Sequence, residues 1–498
     1  MGEAKLKGAN RDLRVADLWT KHGVVPMTSE RYNAYVAWTR SPIYDVIGRE
    51  LEFFQNEAGT LIGVTILDRT DRDFGFVVLG RDEKGRFRCI DVNASMTKTD
   101  ARHALFASLK KHTESGQTVF PQGDEAGDRA GLKLFDSVVG EDRLHYAFKL
   151  LRDGQHWIPA RTIIEEMMNH FIDVDGNFVE QFQTTGFDAR IWELYLYAAL
   201  LDMGLFVTKD HEAPDFEVRR GGKRVFIEAV TVGPSPNDPP LPQSSDTTIR
   251  MRSAEEIREL VKTRAPIRFG SALYSKLKRR APKTPYWDLE HVKGHPLVFA
   301  VADFHEDQSM TWTSPALLEY LYGVTHNFVR DDRGQLVITP LELTTHEYNG
   351  KKIPSGFFLQ ENSEHISAVL FSASGTISKF NRMGRLAGFG LKSQRMYRWG
   401  TRHRHDDNAA LPSPFMLEIE QGKATEGWAE GLSMFHNPKA LHPVDPEMFP
   451  GIAHHFFEDG QIRSWLPEFH PYSSFTWNIL ITGDEEATAS DSEFTEVE

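Results

Sequence analysis

Apolar and polar residues alternate along the chain from residue 51 to residue 92, a pattern typical of short β-strands joined by turns. The segments LIGVTIL, FGFVVLG and RFRCIDV carry the alternation, and a charged turn ending at Gly85 separates the last two. Apolar residues then recur at helical spacing through ARHALFASLKKH, behind Thr97 and Thr99, either of which could cap the helix. The pattern predicts an N-terminal α+β domain with a β-meander, which we place at residues 1–140.

Helical periodicity dominates the next part of the chain. Two amphipathic segments, EDRLHYAFKLLRD and ARTIIEEMMNHFI, predict a helical connector at residues 141–183. The segment FDARIWELYLYAALLDMG then predicts a longer helix, with Asp188 available as N-cap and Gly204 just past its end. Because this helix is apolar on every face, we expect it to be sandwiched between other elements.

Strand patterns follow that helix. They are the short strand LFVT, the hairpin FEVRRGGKRVFIEAVTV with its turn at two glycines, and, after the basic helix IRFGSALYSKLKRR, the strand PLVFAVADF. A proline-rich stretch at residues 233–246 cannot hold a helix or a central strand, so we predict a loop or insertion there. The sequence therefore predicts a mixed β-sheet flanked by helices at residues 184–305.

Length and composition fit a multidomain protein of the α+β or α/β class. A chain of 498 residues suggests about three domains, and residues 306–480 supply further mixed elements. Residues 481–498 are acidic and nearly free of large apolar groups, which predicts a disordered tail. We find no signal peptide and no apolar run of the roughly 20 residues that a membrane helix needs, so we expect a cytoplasmic protein without a membrane partner. The single cysteine excludes a disulfide framework.

Two carboxylates stand in segments that are otherwise apolar. Glu193 lies in the all-apolar helix, and no basic residue follows it at plus three or plus four to form an intrahelical salt bridge. Glu228 interrupts an apolar face of its strand, since Phe226, Val230 and Val232 share its side. Burying an unpaired carboxylate is costly, so we expect both acids to be compensated by a partner from elsewhere.

A third acid, Asp215, follows Pro214 at the start of the hairpin. Asp215 lies 22 residues after Glu193 and 13 residues before Glu228. Three acids from a helix, a strand start and a strand interior offer the hard oxygen ligands that select Mg²⁺ or Mn²⁺. Such an ion activates a water molecule and offsets charge on a phosphate, so the sequence predicts a metal site for phosphodiester hydrolysis.

Residues 184–305 resemble the PD-(D/E)xK nuclease superfamily, to which restriction endonucleases belong. The family's helix glutamate corresponds to Glu193, its aspartate after proline corresponds to Asp215, and its strand triplet (D/E)-x-K begins at Glu228. The resemblance implies a restriction-endonuclease-like mixed sheet. Val230 stands where the family has its lysine, and some family members supply that lysine from the following helix.

In this chain the following helix is the basic one, whose apolar stripe predicts which side chains face inward. Lys276 lies about 60° from the centre of the stripe, whereas Lys278 lies about 140° away and faces solvent. We therefore predict that Lys276 replaces the missing strand lysine. Lys223 of the hairpin is a second choice.

The resemblance implies an endonuclease that depends on Mg²⁺ or Mn²⁺ and acts on nucleic acid, with DNA as the expected substrate and defence against foreign DNA as an expected role. Glu193, Asp215 and Glu228 would bind the metal, and Lys276 would assist the attacking water or the transition state. Two alternatives stay open. The chain could be a catalytically inactive nuclease-derived subunit that binds nucleic acid, disabled by Val230, or a scaffold that engages a protein partner through its N-terminal domain.

Positive charge is concentrated in two parts of the chain, although its net charge is −14. No acid interrupts the basic residues between 379 and 405, and aromatic residues such as Tyr397 and Trp399 lie among them. Phosphate contacts and base stacking are feasible there, and a second basic cluster follows Lys276. The predicted nucleic-acid-binding residues are Lys278, Arg279, Arg280, Lys379, Arg382, Arg385, Lys392, Arg395, Arg398, Arg402 and Arg404.

Overall fold

The computed structural model describes residues 22–127, 130–174, 176–235, 252–279, 284–306 and 308–481. Most of the proline-rich stretch, the acidic tail from residue 482 and Arg280 lie outside these ranges. Helices and strands are mixed along the chain and several sheets form, which confirms the expected α+β class. Within the described ranges, no helix is long and apolar enough to cross a membrane.

An antiparallel meander forms the N-terminal sheet. Its strands, hydrogen-bonded in chain order, are β1 Val24–Met27, β2 Gly48–Asn56, β3 Leu61–Asp68, β4 Phe74–Arg81 and β5 Phe87–Met96. The helices of this part are α1 Ser29–Val36, α2 Tyr44–Ile47 and α3 Lys98–Glu114. The predicted meander and the helix after it are confirmed, and Thr97 caps α3 by accepting a hydrogen bond from the backbone N–H of Asp100.

Both faces of the N-terminal sheet are covered. Leu105 and Phe106 of α3 pack against Phe54 on one face. Tyr32 of α1 packs with Val64 on the other face. The meander is therefore the middle of three layers, and it buries apolar side chains on both sides.

In the rest of the chain, helices and strands follow one another in mixed order. Its helices are α4 Tyr146–Asp153, α5 Ile158–Met168, α6 Phe178–Gln183, α7 Phe187–Asp202, α8 Ala254–Lys262, α9 Arg264–Leu277, α10 Ser314–Tyr322 and α11 Ile377–Leu386. The first strands are β6 Phe206–Thr208, β7 Phe216–Arg220, β8 Lys223–Val232, β9 Leu297–Asp303, β10 Val324–Arg330, β11 Leu336–Glu342, β12 Thr345–Tyr348 and β13 Lys351–Pro354. The later strands are β14 Ala368–Ser372, β15 Gln394–Arg402, β16 Ser413–Glu418, β17 Leu432–His436, β18 Ala453–Glu458, β19 Gln461–Trp465 and β20 Pro471–Leu480.

Eight of these strands form one mixed sheet in the order β19-β18-β17-β14-β9-β8-β7-β6. Strands β8, β9 and β14 run parallel, as do β17 and β18, and the other neighbouring pairs are antiparallel. Helices α4 to α7 pack on one face of the sheet, and α9 and α10 pack on the other. A mixed sheet with helices on both sides is present as predicted, but it is not confined to residues 184–305, because β14, β17, β18 and β19 come from later in the chain.

Strand β8 faces both layers because its side chains alternate. Val225 and Ile227 pack toward α7, whereas Phe226 and Val230 pack toward α9. Helices α8 and α9 lie between β8 and β9 in the chain, and this crossover makes the two strands parallel. Glu228 therefore faces the α9 layer from the interior of the sheet.

Local signals fix the ends of α7 and of the β7–β8 hairpin. Gly221 and Gly222 have φ angles of 55° and 78°, so the two-glycine turn adopts the left-handed conformations that such hairpins require. Gly204, with φ of 74°, follows the end of α7 as predicted. The expected cap is wrong: α7 begins at Phe187 after a Gly186 cap, which puts Asp188 inside the first turn.

A separate three-stranded antiparallel sheet has the order β16-β15-β20. One face of this sheet packs on α11, where Met396 of β15 contacts Leu386. Two hairpins, β10–β11 and β12–β13, form two-stranded sheets of their own.

Candidate functional site

Asp215 and Glu228 lie side by side where strands β7 and β8 meet. Strand β7 begins with Phe216 opposite Ile227, so Asp215 comes directly before the paired residues. The Oδ2 atom of Asp215 accepts a hydrogen bond of 2.7 Å from the backbone N–H of Ala229. Two of the predicted acids are thus brought together by neighbouring strands.

The surroundings of Asp215 disfavour its charged form. Burial of the carboxyl group is the largest cause, and the negative charges of Glu228 and Glu193 add to it, so that the pKa of Asp215 rises to about 8. Lys209 acts in the opposite direction. A carboxyl group destabilised by burial and by like charges is one that a bound cation would stabilise as a carboxylate.

Glu228 is held in place by two donors from the α9 side of the sheet. Lys276 Nζ and Tyr286 OH each lie 2.6 Å from Glu228 Oε1. Burial and the neighbouring Glu228 raise the pKa of Tyr286 well above its usual value, so the phenol keeps its proton and donates it to this hydrogen bond. Lys276 therefore lies beside an acid of the site, on the side of α9 that the apolar stripe predicts.

Asp215 and Glu228 each keep one carboxylate oxygen that accepts no hydrogen bond from any residue the structure describes: Asp215 Oδ1 and Glu228 Oε2. No group of three or more His, Cys, Asp or Glu side chains within the described ranges is arranged to hold a metal. Mg²⁺ usually takes only one or two protein carboxylates, and water and substrate phosphate complete its shell. Two neighbouring carboxylate oxygens fit that requirement.

Glu193 is compensated by two cations of the chain itself. Arg190 Nη1 lies 2.6 Å from Glu193 Oε1, and Lys209 Nζ lies 2.9 Å from Glu193 Oε2. Arg190 precedes Glu193 by three residues, whereas the sequence argument considered only the residues three and four positions after Glu193. The burial of Glu193 is therefore offset without a metal, because both of its oxygens already accept from positive side chains.

Glu193 and Asp215 nevertheless open onto the same cleft at the edge of the sheet. Lys209 and His211 also line this cleft. His211 stacks on His291 with 3.7 Å between the ring centroids. The three predicted acids converge on one region, and Glu193 takes part there as the partner of Lys209.

The lysine position of the strand triplet belongs to the core. Val230 is buried among side chains of α9 and β9, in contact with the cluster that includes Phe269 and Val301. Lys223 forms an ion pair with Asp445 at the turn end of the hairpin. Of the two lysines considered from the sequence, Lys276 is the one that reaches Glu228.

The basic residues after Lys276 differ in their surroundings. Lys278 Nζ lies 3.7 Å from a carboxylate oxygen of Glu361. The guanidinium of Arg279 lies over the ring of Tyr286, 4.1 Å from its centroid. Arg279 Nη1 is buried, and no residue in the described part of the chain accepts a hydrogen bond from it. Arg279 therefore places a positive charge one ring away from Glu228.

Four of the basic residues between 379 and 405 are used inside the protein. Lys379 and Arg382 lie 2.6 Å and 2.8 Å from Glu426, and Arg398 lies 3.4 Å from it. All three cations are fully buried, and Arg385 is buried as well, donating to backbone carbonyl groups. The prediction that these four residues contact nucleic acid is wrong, because their charges are satisfied internally.

The remaining basic residues between 379 and 405 face outward. Lys392, Arg402 and Arg404 are exposed, and Arg395 is half-buried. Strand alternation explains the division within β15, where Arg395 and Arg398 point to opposite faces.

Sequence reasoning did not find three residues that shape the site. Tyr286 lies in a short turn with no periodic pattern, so no local signal marks it. Lys209 follows the short strand β6, and its ion pair with Glu193 joins residues 16 positions apart. Arg190 could have been found by searching the preceding turn of α7.

The chain matches no protein-family model, no curated protein and no solved structure. Its function therefore has to be inferred from the residues of the site.

Proposed function

We propose that this protein is a metal-dependent phosphodiesterase that cleaves nucleic acid, with DNA as its substrate. The observation that carries the proposal is the pair of adjacent carboxylates, Asp215 and Glu228, each with an oxygen left over for a cation. Lys276 and Arg279 add positive charge beside the pair. Carboxylates can bind a divalent ion, and the neighbouring cations can bind the phosphate of the substrate.

The order of elements around the pair supports a restriction-endonuclease-like core. Helix α7 precedes the antiparallel strands β6, β7 and β8, and helices α8 and α9 lead to the parallel strand β9. The resemblance to PD-(D/E)xK nucleases implies a mixed sheet in this part of the chain, and this order of elements supports it. Fold alone does not define chemistry, so the proposal depends on the side chains.

Asp215 and Glu228 are the proposed ligands of Mg²⁺ or Mn²⁺, because their free oxygens are hard donors. When bound, the ion would supply Lewis-acid chemistry, lowering the pKa of a water molecule and offsetting charge on the phosphate. Glu193 is left out of the ligand set because Arg190 and Lys209 occupy its oxygens.

The neighbouring side chains have separate roles in this proposal. Tyr286 and Lys276 fix the orientation of Glu228 through its Oε1 atom. The ammonium of Lys276 has two further N–H donors, which can hold a phosphate oxygen beside Glu228. The half-buried Arg279 can bind a second phosphate oxygen through its guanidinium. Lys276 thus takes the part that the family assigns to the lysine missing at Val230.

Cleavage assays on substitutions of the two ligands test the proposal. We expect the wild-type protein to cleave duplex DNA with Mg²⁺ or Mn²⁺ and to lose this activity in EDTA. Asp215→Asn and Glu228→Gln should each lower the rate by at least about 100-fold, and Lys276→Met should lower it by about 10- to 100-fold. Initial rates on duplex DNA, single-stranded DNA and RNA would be measured.

Glu458→Gln provides a matched control, since this exposed acid on β18 carries the same charge far along the sheet from Asp215. It should cleave at the wild-type rate. Wild-type rates in both ligand variants would contradict the proposal. The absence of cleavage on all three substrates, with nucleic-acid binding retained in EDTA, would favour the catalytically inactive binding subunit.

A further inference from the structure

The three-stranded sheet β16-β15-β20 has one face that the elements within the described ranges leave uncovered. Along β15 the buried residues Gln394, Met396 and Arg398 alternate with Tyr397 and Trp399, which are partly exposed. The buried set faces α11 and the Glu426 ion pairs. The other set forms the outer face of the sheet.

Aromatic rings from two strands meet on this outer face. Tyr397 is paired with Trp477 of β20, and Trp399 is paired with Phe475. The rings of Trp399 and Phe475 are stacked, 4.5 Å apart, and those of Trp399 and Trp477 are 5.3 Å apart. We call these four residues the aromatic face. Trp477 is 42% exposed.

Further apolar side chains extend the aromatic face toward its edges. Met416 of β16 lies opposite Trp399, and Ile479 of β20 lies opposite Arg395. Both Met416 and Ile479 are exposed. A contiguous exposed apolar surface of this kind marks a site of interaction rather than an ordinary surface.

Cations lie at one end of the aromatic face. Lys392 and Arg395 lie at the start of β15, and neither forms an ion pair with an acid in the described part of the chain. Arg402, at the other end of β15, lies over the ring of Phe469 together with the buried Arg398, so its side chain belongs to the opposite face of the sheet. Glu418, the acid opposite Tyr397, lies 3.2 Å from Lys423, which also pairs with Glu420 at 2.7 Å.

This combination of rings and unpaired cations selects among partners. A single-stranded nucleic acid satisfies both features, because its bases stack on aromatic rings while its phosphates pair with cations.

We propose that the aromatic face binds single-stranded nucleic acid, with bases stacked on Tyr397 and Trp477 and phosphates held by Lys392 and Arg395. This proposal rests on the proposed function, since the strand bound there would belong to the substrate of the nuclease site. Of the basic residues predicted between 379 and 405, this proposal keeps exposed or half-buried ones and leaves out the buried arginines. The aromatic rings come from β15 and β20.

Fluorescence anisotropy with labelled 12-nucleotide oligo(dT) and oligo(rU) tests the proposal on the full-length protein in EDTA. Trp477→Ala and Tyr397→Ala should each weaken binding by roughly 5- to 100-fold. Trp477→Phe keeps a stacking ring and should stay within about 3-fold of wild type. With two cations engaged, the logarithm of affinity should fall with the logarithm of salt concentration with a slope of about −1.4.

Phe328→Ala is the matched control, because Phe328 is an aromatic residue on hairpin β10–β11 that is 56% exposed. It should bind as the wild type does. The proposal is overturned if neither oligonucleotide binds, if Trp477→Ala and Phe328→Ala bind equally well, or if sedimentation shows self-association that Trp477→Ala abolishes while oligonucleotides do not bind.

Binding in EDTA separates this proposal from the nuclease proposal. Asp215→Asn should bind both oligonucleotides as tightly as wild type while failing to cleave. If Trp477→Ala cleaves DNA and binds both oligonucleotides as the wild type does, the proposal for the aromatic face is overturned and the nuclease proposal is not. If oligonucleotide binding depends on Trp477 but no substrate is cleaved, the nuclease proposal is overturned and the proposal for the aromatic face is not.

Discussion

At the scale of single residues, Asp215 lowers the stability of the folded protein when its carboxyl group is charged. Its pKa in the folded state is about 8, raised first by burial and then by Glu228 and Glu193, against an ordinary value of 3.8. Between pH 4 and pH 8 the unfolded chain has lost this proton while the folded chain keeps it. The contribution of Asp215 to stability therefore decreases as the pH rises through that window.

Asp215→Asn should consequently raise the midpoint of thermal unfolding at pH 8 in EDTA by a few degrees, because the amide needs no proton and can still accept from Ala229 N–H. Adding Mn²⁺ should raise the midpoint of the wild type and leave that of the variant unchanged. Scanning calorimetry with and without Mn²⁺ would measure both effects.

Asp210→Asn serves as the comparison, since Asp210 is exposed and lies on the same loop. Its midpoint should match that of the wild type in EDTA and should rise equally with Mn²⁺. A lower midpoint for Asp215→Asn in EDTA, or a Mn²⁺ shift as large as that of the wild type, would argue against the electrostatic account of Asp215.

At the scale of elements, helix α11 and strand β15 are joined by buried charge. Lys379 and Arg382 of α11 and Arg398 of β15 surround Glu426, and Arg398 also pairs with Glu430. Burial alone would raise the pKa of Glu426, but the three cations outweigh it and hold that pKa well below its usual value. The carboxylate thus stays charged and acts as the connection between the two elements.

Glu426→Gln should lower the free energy of unfolding by about 3–5 kcal/mol, because it leaves buried cations without their shared partner. Urea denaturation followed by circular dichroism would measure the loss. Glu418→Gln removes a charge from a solvent-exposed pair with Lys423 and should cost less than about 1 kcal/mol. Equal stabilities for the two variants would show that the buried network contributes little.

Elements defined by local patterns could be predicted from the sequence. The two-glycine turn, the alternation of β8 and the apolar stripe of α9 each depend on neighbours within about ten residues, and the structure confirms them. That stripe was enough to select Lys276. The meander of the N-terminal sheet followed from the same kind of alternation.

Charge partners could not be predicted in the same way. Lys209 pairs with Glu193 across 16 residues, and Glu426 pairs with Arg382 across 44 residues. A run of cations without acids looks like a surface patch when only its own segment is considered. The acids that pair with Arg382 and Arg398 come from a distant segment, and no spacing within residues 379–405 indicates them.

At the scale of the whole molecule, the large sheet carries titrating groups at both ends, and they act in opposite directions. Far from Asp215, His436 Nε2 and His454 Nδ1 on β17 and β18 are 3.0 Å apart in a buried hydrogen bond. Burial lowers the pKa of His436 and of His455 to about 3 and that of His470 to about 4. These imidazoles stay neutral in the folded chain.

The histidines therefore make the fold sensitive to acid. Their full contribution is present above the ordinary pKa of 6.5, and it is lost as the pH falls toward 4, because the unfolded chain takes up protons that the folded chain excludes. Each histidine should contribute about 1.4 kcal/mol per pH unit in that window. Because the Asp215 contribution changes in the opposite direction, the metal-free protein should be most stable between these two trends, near neutral pH.

His436→Gln isolates one of these contributions while keeping a donor for the bond to His454. Urea unfolding at several pH values from 7 to 5 should give a decline in stability that is shallower than wild type by about 1.4 kcal/mol per pH unit. The exposed His405, changed to Gln, should leave the wild-type slope intact. Parallel curves of stability against pH for His436→Gln and wild type would mean that protonation of the β17–β18 histidines does not cause the loss of stability in acid. The acid sensitivity would then have to come from carboxylates such as Glu426.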